Sequence, residues 1–269
     1  MAGSAARPLP TDRVRQASVV VAALLALAGA VVGSGLAGGT PIPKAAGGAL
    51  GPDATLIAPA GAAFSIWSVI YLGLAGYALW QSLPTQAARP RQRRVGYWML
   101  ASLLLNTVWI LSVQFGRLAL SAVLIVGLLV VLIVAFALLR RTPAETLFEK
   151  IVLDGTVGLY LGWVMVASVA NVAAFVIAAR ADSLGWSPHS WAMAVLAAVA
   201  VLGSALAIWD AGRLAPALAA AWGLAWIGVA RLGGSLVSPP AALTAIAAAV
   251  LVLMVAVAVR VARTPVRSA

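Results

Sequence analysis

The sequence predicts an all-α fold, a polytopic transmembrane helix bundle of about eight spans, and three observations lead there. Of its 269 residues, 63% are hydrophobic and only 9% are charged, where a soluble domain carries about 25% charged residues. The apolar residues fall into eight stretches, each close to the ~20 residues that a helix needs to cross ~30 Å of hydrocarbon. Lys and Arg collect at the ends of those stretches, mostly on alternate ends. Too few polar side chains remain to cover a watery surface, so the apolar excess faces lipid.

The stretches run in order as follows. The first, 17–38, follows Arg13 and Arg15 and exceeds an ordinary signal-peptide core; it is read as a retained helix, with a cleavable leader as the alternative. The connection 39–55 holds Pro41, Pro43, Gly47, Gly48 and Pro52 and reads as an irregular loop. The second to fifth spans cover 56–83, 96–115, 118–139 and 151–179. The last three cover 191–209, 214–232 and 241–259, with Pro188 and Pro239-Pro240 marking the turns into the sixth and eighth.

Charge sets the orientation. Arg7, Arg13, Arg15, Arg89, Arg91, Arg93, Arg94, Arg140, Arg141, Lys150, Arg213, Arg260, Arg263 and Arg267 fall on one side of an eight-span arrangement. Only Lys44, Arg117, Arg180 and Arg231 fall on the other. Cations near span ends stay inside, so both termini are expected in the cytoplasm. The net charge of +11 is thus a topology signal, and no nucleic-acid partner is expected; the partner is the lipid bilayer. Richness in Ala, Arg and Val suggests a bacterial cytoplasmic membrane.

Composition also limits chemistry. With no Cys and a single His, His189, neither a metal centre nor a cysteine nucleophile is expected. No phosphate-binding loop or dinucleotide fingerprint is present, and no nucleophile–base pair is in prospect, so the chain is not expected to be an enzyme. Nor does an internal repeat support an inverted-repeat transporter.

Three helix faces carry the candidate site. Tyr160, Trp163, Ala167 and Asn171 are spaced by three, four and four, which is one stripe of a helix. Asn106 and Trp109 share a face of the third span, and Trp67 and Tyr71, with Phe64, share one of the second. A carboxamide in hydrocarbon must find partners inside the protein or in a wet cavity. Inward convergence would make an apolar, aromatic-walled pocket with a few polar fixers, suited to a flat amphipathic ligand. The competing structural reading is that Trp and Tyr anchor at interfaces and Asn glues helices.

Those same residues carry a family resemblance. Phe64-Ser-Ile-Trp67-Ser-Val-Ile-Tyr71, continuing to Gly76-Tyr77-Ala-Leu-Trp80, resembles the second helix of the tryptophan-rich sensory protein (translocator protein, TspO/MBR) family. Leu105-Asn106-x-x-Trp109, with Phe115-Gly116 and Ala119-Leu120, is similar to its third helix and following turn. Tyr160-Leu-Gly-Trp163-x-x-x-Ala167-x-x-x-Asn171 resembles its fifth. The chain departs from the family in having Ser65-Ile66 for a Gly-Pro, no Trp between 39 and 55, and no Pro before Tyr160. The resemblance implies residues 1–16 as a tail, 17–180 as a TspO-like five-helix core, 181–262 as three additional helices and 263–269 as a second tail. It implies a binding or sensory protein for a tetrapyrrole (porphyrin or haem) or sterol-type ligand, moving it or signalling its level, with no cofactor proper, and it allows a homodimer. The alternatives are a small secondary transporter of another solute, which wants a charged pair at mid-membrane, and a structural membrane protein without a small ligand.

The remaining polar and aromatic residues receive plainer readings. Asp154 is four after Lys150 and is expected to pair with it. Asp210 and Arg213 are expected to face water, and Arg231 to snorkel outward. Gln114 is either a pocket fixer or interfacial. Trp80, Trp98, Trp186 and Trp191 read as belt anchors. Trp222 and Trp226 share a helix face, as a second aromatic surface or a packing face.

Overall fold

In the computed structural model, which describes residues 7–180 and 185–263, eight helices are long and apolar enough to cross a membrane. They are α1 (Pro10–Ser34), α2 (Ile66–Gln81, whose span begins at Gly61 with a leading 3₁₀ turn), α3 (Pro90–Gln114) and α4 (Leu118–Arg141). There follow α5 (Leu147–Ala178), α6 (Pro188–Trp209), α7 (Leu214–Leu232) and α8 (Pro239–Ala262). Arg267, one of the basic residues that set the orientation, lies outside the described residues, as do 1–6 of the first tail, 181–184, and 264–269 of the second tail.

Most helices start earlier than hydropathy suggests, because capping sets their ends. Pro10, Pro90, Pro188 and Pro239 stand at helix starts, where a missing N–H costs nothing. The Ser187 and Ser238 side chains accept from the N–H groups of Ser190 and Ala241. The second span instead starts later than 56: a 3₁₀ turn, Gly61–Ser65, leads into α2. Residues 56–60, interrupted by Pro59, belong to the long connection.

Packing follows a simple order. α1 lies against α2 and α3, α3 against α4, α4 against α5, and α5 back against α2, which closes a ring of five. α7 packs on the outside of α5, α8 on α7, and α6 on α8. Two hydrophobic cores result. One fills the ring, with Ile70, Leu103, Leu128 and Trp163. The other joins α5 to the last three helices through Met165, Leu196, Leu224 and Val252. α5 and α7 approach closely because Gly158 and Gly162 face Ala215 and Pro216. A Cβ at Gly158 would meet the Ala215 Cβ at 2.8 Å, and one at Gly162 would land on the Pro216 carbonyl oxygen. Small residues four apart permit such contact between membrane helices.

Eight spans bring both ends of the chain to one face, the terminal face. A charge layer there ties the ring to the outer helices. Arg91 of α3 donates to Glu149 at 2.8 Å and to Asp154 at 2.6 Å, and Arg213 at the start of α7 donates to Asp154 at 3.0 Å. Asp154 therefore pairs with two arginines from other helices and not with Lys150. Both residues lie in a π-helical segment, Lys150–Gly155, which turns the carboxylate toward α3 and α7. Asp210 does not face water as expected: it is 1% exposed, because its turn tucks under the end of α8, where Gly212 lies against the Arg260 backbone. Burial pushes the Asp210 carboxyl up to about 6, partly opposed by hydrogen bonds from the Arg213 and Gly212 N–H groups and by the charges of Arg213 and Arg140. Arg231 does not snorkel either. It is fully buried and donates to the Pro52 carbonyl, because the long connection folds over the end of α7.

Candidate functional site

The site forms where three ring helices present polar side chains at one level. Asn106 on α3 is fully buried, and hydrocarbon supplies it no partner. Its carboxamide accepts from the Tyr71 hydroxyl of α2 at 2.9 Å and donates to the Tyr160 hydroxyl of α5 at 2.8 Å. The Tyr160 hydroxyl also lies 3.4 Å from the Ser102 carbonyl of α3. One carboxamide thereby links three helices, and the hydrogen-bonded layer forms a floor.

Above this floor Trp67 occupies the centre. It stacks on Tyr71 at 5.4 Å between ring centroids and on Trp109 at 6.1 Å. Tyr160 and Trp163 meet it edge-on at 5.7 and 6.2 Å, and Phe64 meets Trp163 edge-on at 5.8 Å. Such offset and edge-to-face contacts add about 0.5–1.5 kcal/mol per pair beyond burial. Seven of the nine sequence-selected residues thus form one connected group. The other two, Ala167 and Asn171, lie one and two turns further along α5.

Beyond the aromatic group lies a cavity of about 30 Å³, lined by Phe64, Trp67, Trp109, Trp163, Ala167 and Asn171, among others. Ala167 leaves the space that a larger side chain would fill. Asn171 accepts from the Ser121 hydroxyl of α4 at 3.1 Å. Four lining residues each keep a buried polar atom without a hydrogen-bond partner in the protein: Trp109 Nε1, Trp163 Nε1, Asn171 Nδ2 and Thr55 Oγ1. No charged side chain is among the lining residues.

The sequence reading missed the cover. Ala49, Leu50, Thr55, Ala58 and Pro59, from the long connection, close the cavity on the side away from the terminal face. Small, apolar loop residues carry no pattern that marks them as lining. Ser121 was also missed, though a hydroxyl in an apolar span opposite an unpaired Asn is a usable signal. Gln114 does not enter the pocket. Its side chain accepts from the Thr40 N–H at 2.9 Å and donates to the Thr40 carbonyl at 2.6 Å, pinning the start of the same connection to α3. The Trp222–Trp226 pair, 5.6 Å apart and edge-on, is a packing face toward that connection: Trp222 Nε1 donates to the Ala63 carbonyl at 3.0 Å. Trp186 and Trp191 form an exposed pair at the start of α6, and Trp98 is exposed on α3.

Against known sequences, a family model described as TSPO-like protein matches residues 20–259. The matched region runs through the ring and nearly to the end of α8. No curated protein matches the chain, and neither does any solved structure.

Proposed function

The chain belongs to the TSPO-like protein family, and from that premise we propose that it is a membrane-embedded binding or sensory protein for a flat hydrophobic ligand of tetrapyrrole or sterol type. One observation carries the reading: a cavity walled by indole and phenyl rings is lined by residues that keep three N–H donors and one hydroxyl without a partner in the protein. A buried polar group without a partner costs about 1–3 kcal/mol. Four in one place are better explained by a ligand that supplies acceptors than by packing alone. Phe64, Trp67, Trp109 and Trp163 would contact the ligand's faces, while Asn171 would orient its polar edge. Tyr71, Asn106 and Tyr160 would hold the floor, and Ala167 would leave room.

Sites for drug-sized ligands have volumes of roughly 300–1,000 Å³, well above the ~30 Å³ of this cavity. Binding therefore requires Trp67 and the cover of the connection to move apart. The role needs no enzyme chemistry. Asp154 and Asp210, the acids that a coupled transporter would need at mid-membrane, belong instead to the layer at the terminal face. The cation asymmetry along the sequence supports both termini inside, and the richness in Ala, Arg and Val supports a bacterial cytoplasmic membrane.

Titration of the purified protein in detergent with protoporphyrin IX, and separately with a sterol, tests the reading through quenching or shift of tryptophan fluorescence. Saturable binding is expected, weakened about tenfold or more in Trp67→Ala or Trp163→Ala through lost ring contacts. Equal affinity in wild type and both variants removes the site assignment.

A further inference from the structure

The last three helices hold the cover of the cavity, and we infer that they control access to it: Trp222, Trp226 and Arg231 of α7 are positioning residues that keep the connection closed over Trp67, Trp109 and Trp163. The inference rests on the cavity being a ligand site, and it assigns a role to helices that contribute little to the cavity wall.

Three hydrogen bonds join one helix to successive points of the cover and of the 3₁₀ turn that follows it. The Arg231 guanidinium donates to the Pro52 carbonyl, the Ala60 N–H donates to the Trp226 carbonyl at 3.1 Å, and Trp222 Nε1 donates to the Ala63 carbonyl at 3.0 Å. Residues 222, 226 and 231 follow each other at about one turn of helix. The other end of the connection is fixed to α3 by Gln114 and Thr40. All five cover residues that line the cavity, from Ala49 to Pro59, lie between Thr40 and Ala60, with the Pro52 bond to Arg231 midway among them. The cover is therefore fastened on one side to the ring and on the other to α7, and none of the three α7 bonds is made to a side chain of the aromatic group.

The chemistry of Arg231 suits a latch more than a permanent weld. Its side chain is wholly buried, yet Nε and Nη1 have no hydrogen-bond partner. A buried cation with most of its donors unused is only partly stabilised where it lies, by the charge of Asp53 on the same connection. Lifting the connection would admit water to those donors and offset the loss of the bond to Pro52. Closed and open states would then differ little in free energy, as access to a buried ligand site requires.

The chain has no cysteine, so single introduced thiols report on opening without background. Ala58→Cys places a thiol in the cover, at a position 4% exposed, and Ala135→Cys places one in the ring interior on α4, at 0%. Their rates of reaction with N-ethylmaleimide are compared in the otherwise unchanged protein, in Trp222→Phe, which keeps a ring but loses the donor, and in Arg231→Gln. The expected result is that Ala58→Cys reacts about tenfold faster in each variant, the loss of one buried hydrogen bond, while Ala135→Cys keeps its rate. An unchanged Ala58→Cys rate in both variants overturns the inference. So does an equal acceleration at both thiols, which would mean general loosening. None of these rates involves a ligand. If the variants open the cover but protoporphyrin IX fails to shield Ala58→Cys, the control of access stands and the choice of ligand falls.

Discussion

The ring α1–α5 and the outer helices α6–α8 are both apolar bundles, yet they are packed by opposite means. The ring interior is filled with large side chains bearing polar tips, among them Tyr71, Tyr77, Tyr160 and Trp163, with Asn106, Asn171, Ser102 and Ser121 between them. The outer helices meet through small residues: α8 buries Ala241, Ala242, Ala245, Ala248, Ala249 and Ala256, and α7 buries Ala217, Ala219, Ala220, Ala221 and Gly223. In lipid there is little hydrophobic gain from bringing helices together, so close van der Waals contact between small residues does the work. Such surfaces leave no room for a ligand. Bulky aromatics tied by directed hydrogen bonds cannot fill space as completely, and the cavity lies where they fail to. The binding chemistry therefore belongs to the ring, and the outer helices act as its buttress.

The strongest way to break this contrast is to separate the two regions. In Gly162→Val, the first added carbon already falls on the Pro216 carbonyl oxygen, and a backbone oxygen has nowhere to go unless the helices part. Overpacking in well-packed interiors costs about 1–3 kcal/mol and sometimes more; a backbone clash belongs at the upper end. Gly162→Val should lower thermal stability in detergent more than the loss of any single hydrogen bond within the ring, and should speed proteolysis near 210–240. A stability equal to wild type would mean that α5 and α7 are not held together by this contact.

Within the ring, Asn106→Leu is the next test. It keeps the branched four-atom skeleton but leaves the Tyr71 and Tyr160 hydroxyls without the partner they share. Stranding two buried hydroxyls should cost roughly 2–3 kcal/mol, seen as a lower midpoint in thermal unfolding followed by near-ultraviolet circular dichroism. Adding Tyr71→Phe and Tyr160→Phe to Asn106→Leu should restore part of that loss, since replacing both partners by apolar groups is far less costly than removing one. The outer helices offer no counterpart to this rescue, because no such polar triangle joins them among the described residues.

How much of this was legible in the sequence depends on the range of the interaction. Eight spans could be read because hydropathy and cation placement are local properties, and their ends could not because prolines and serine caps extended them. Tyr160, Trp163, Ala167 and Asn171 could be placed on one face because 3.6-residue periodicity is local too. Their meeting with Trp67 and Asn106 needed only that polar side chains avoid lipid. Asp154 defeats a local reading because its partners, Arg91 and Arg213, come from other helices, and a π-helical segment redirects its side chain. Arg231 and Asp210 do so for a related reason. Each lies at a helix end, where exposure is the default, and each is covered by a segment distant in sequence. The cover itself, Ala49 to Pro59, gave no sign, since Ala, Leu and Pro in a loop promise nothing about what lies beneath.

The smallest expected effect concerns a carboxylate set beside the small-residue contacts of the outer helices. Asp210 is buried between α6 and α7, and burial raises its carboxyl from 3.8 to about 6. The unfolded chain therefore ionises this group first as pH rises. Between about pH 4 and 6 the folded state holds the proton that the unfolded state has lost, so stability falls across that window and is flat on either side of it. The group destabilises the fold above pH 6 and does not do so below pH 4. With Arg140 and Arg213 nearby to moderate the charge, the change should be on the order of 1 kcal/mol. Asp210→Asn should remove the slope, leaving a thermal midpoint that no longer drops between pH 4 and 6 relative to wild type. An identical pH profile in the two proteins would mean that the turn opens to water, and that the junction between α6 and α7 is less tightly closed than the alanine-lined surfaces on either side of it.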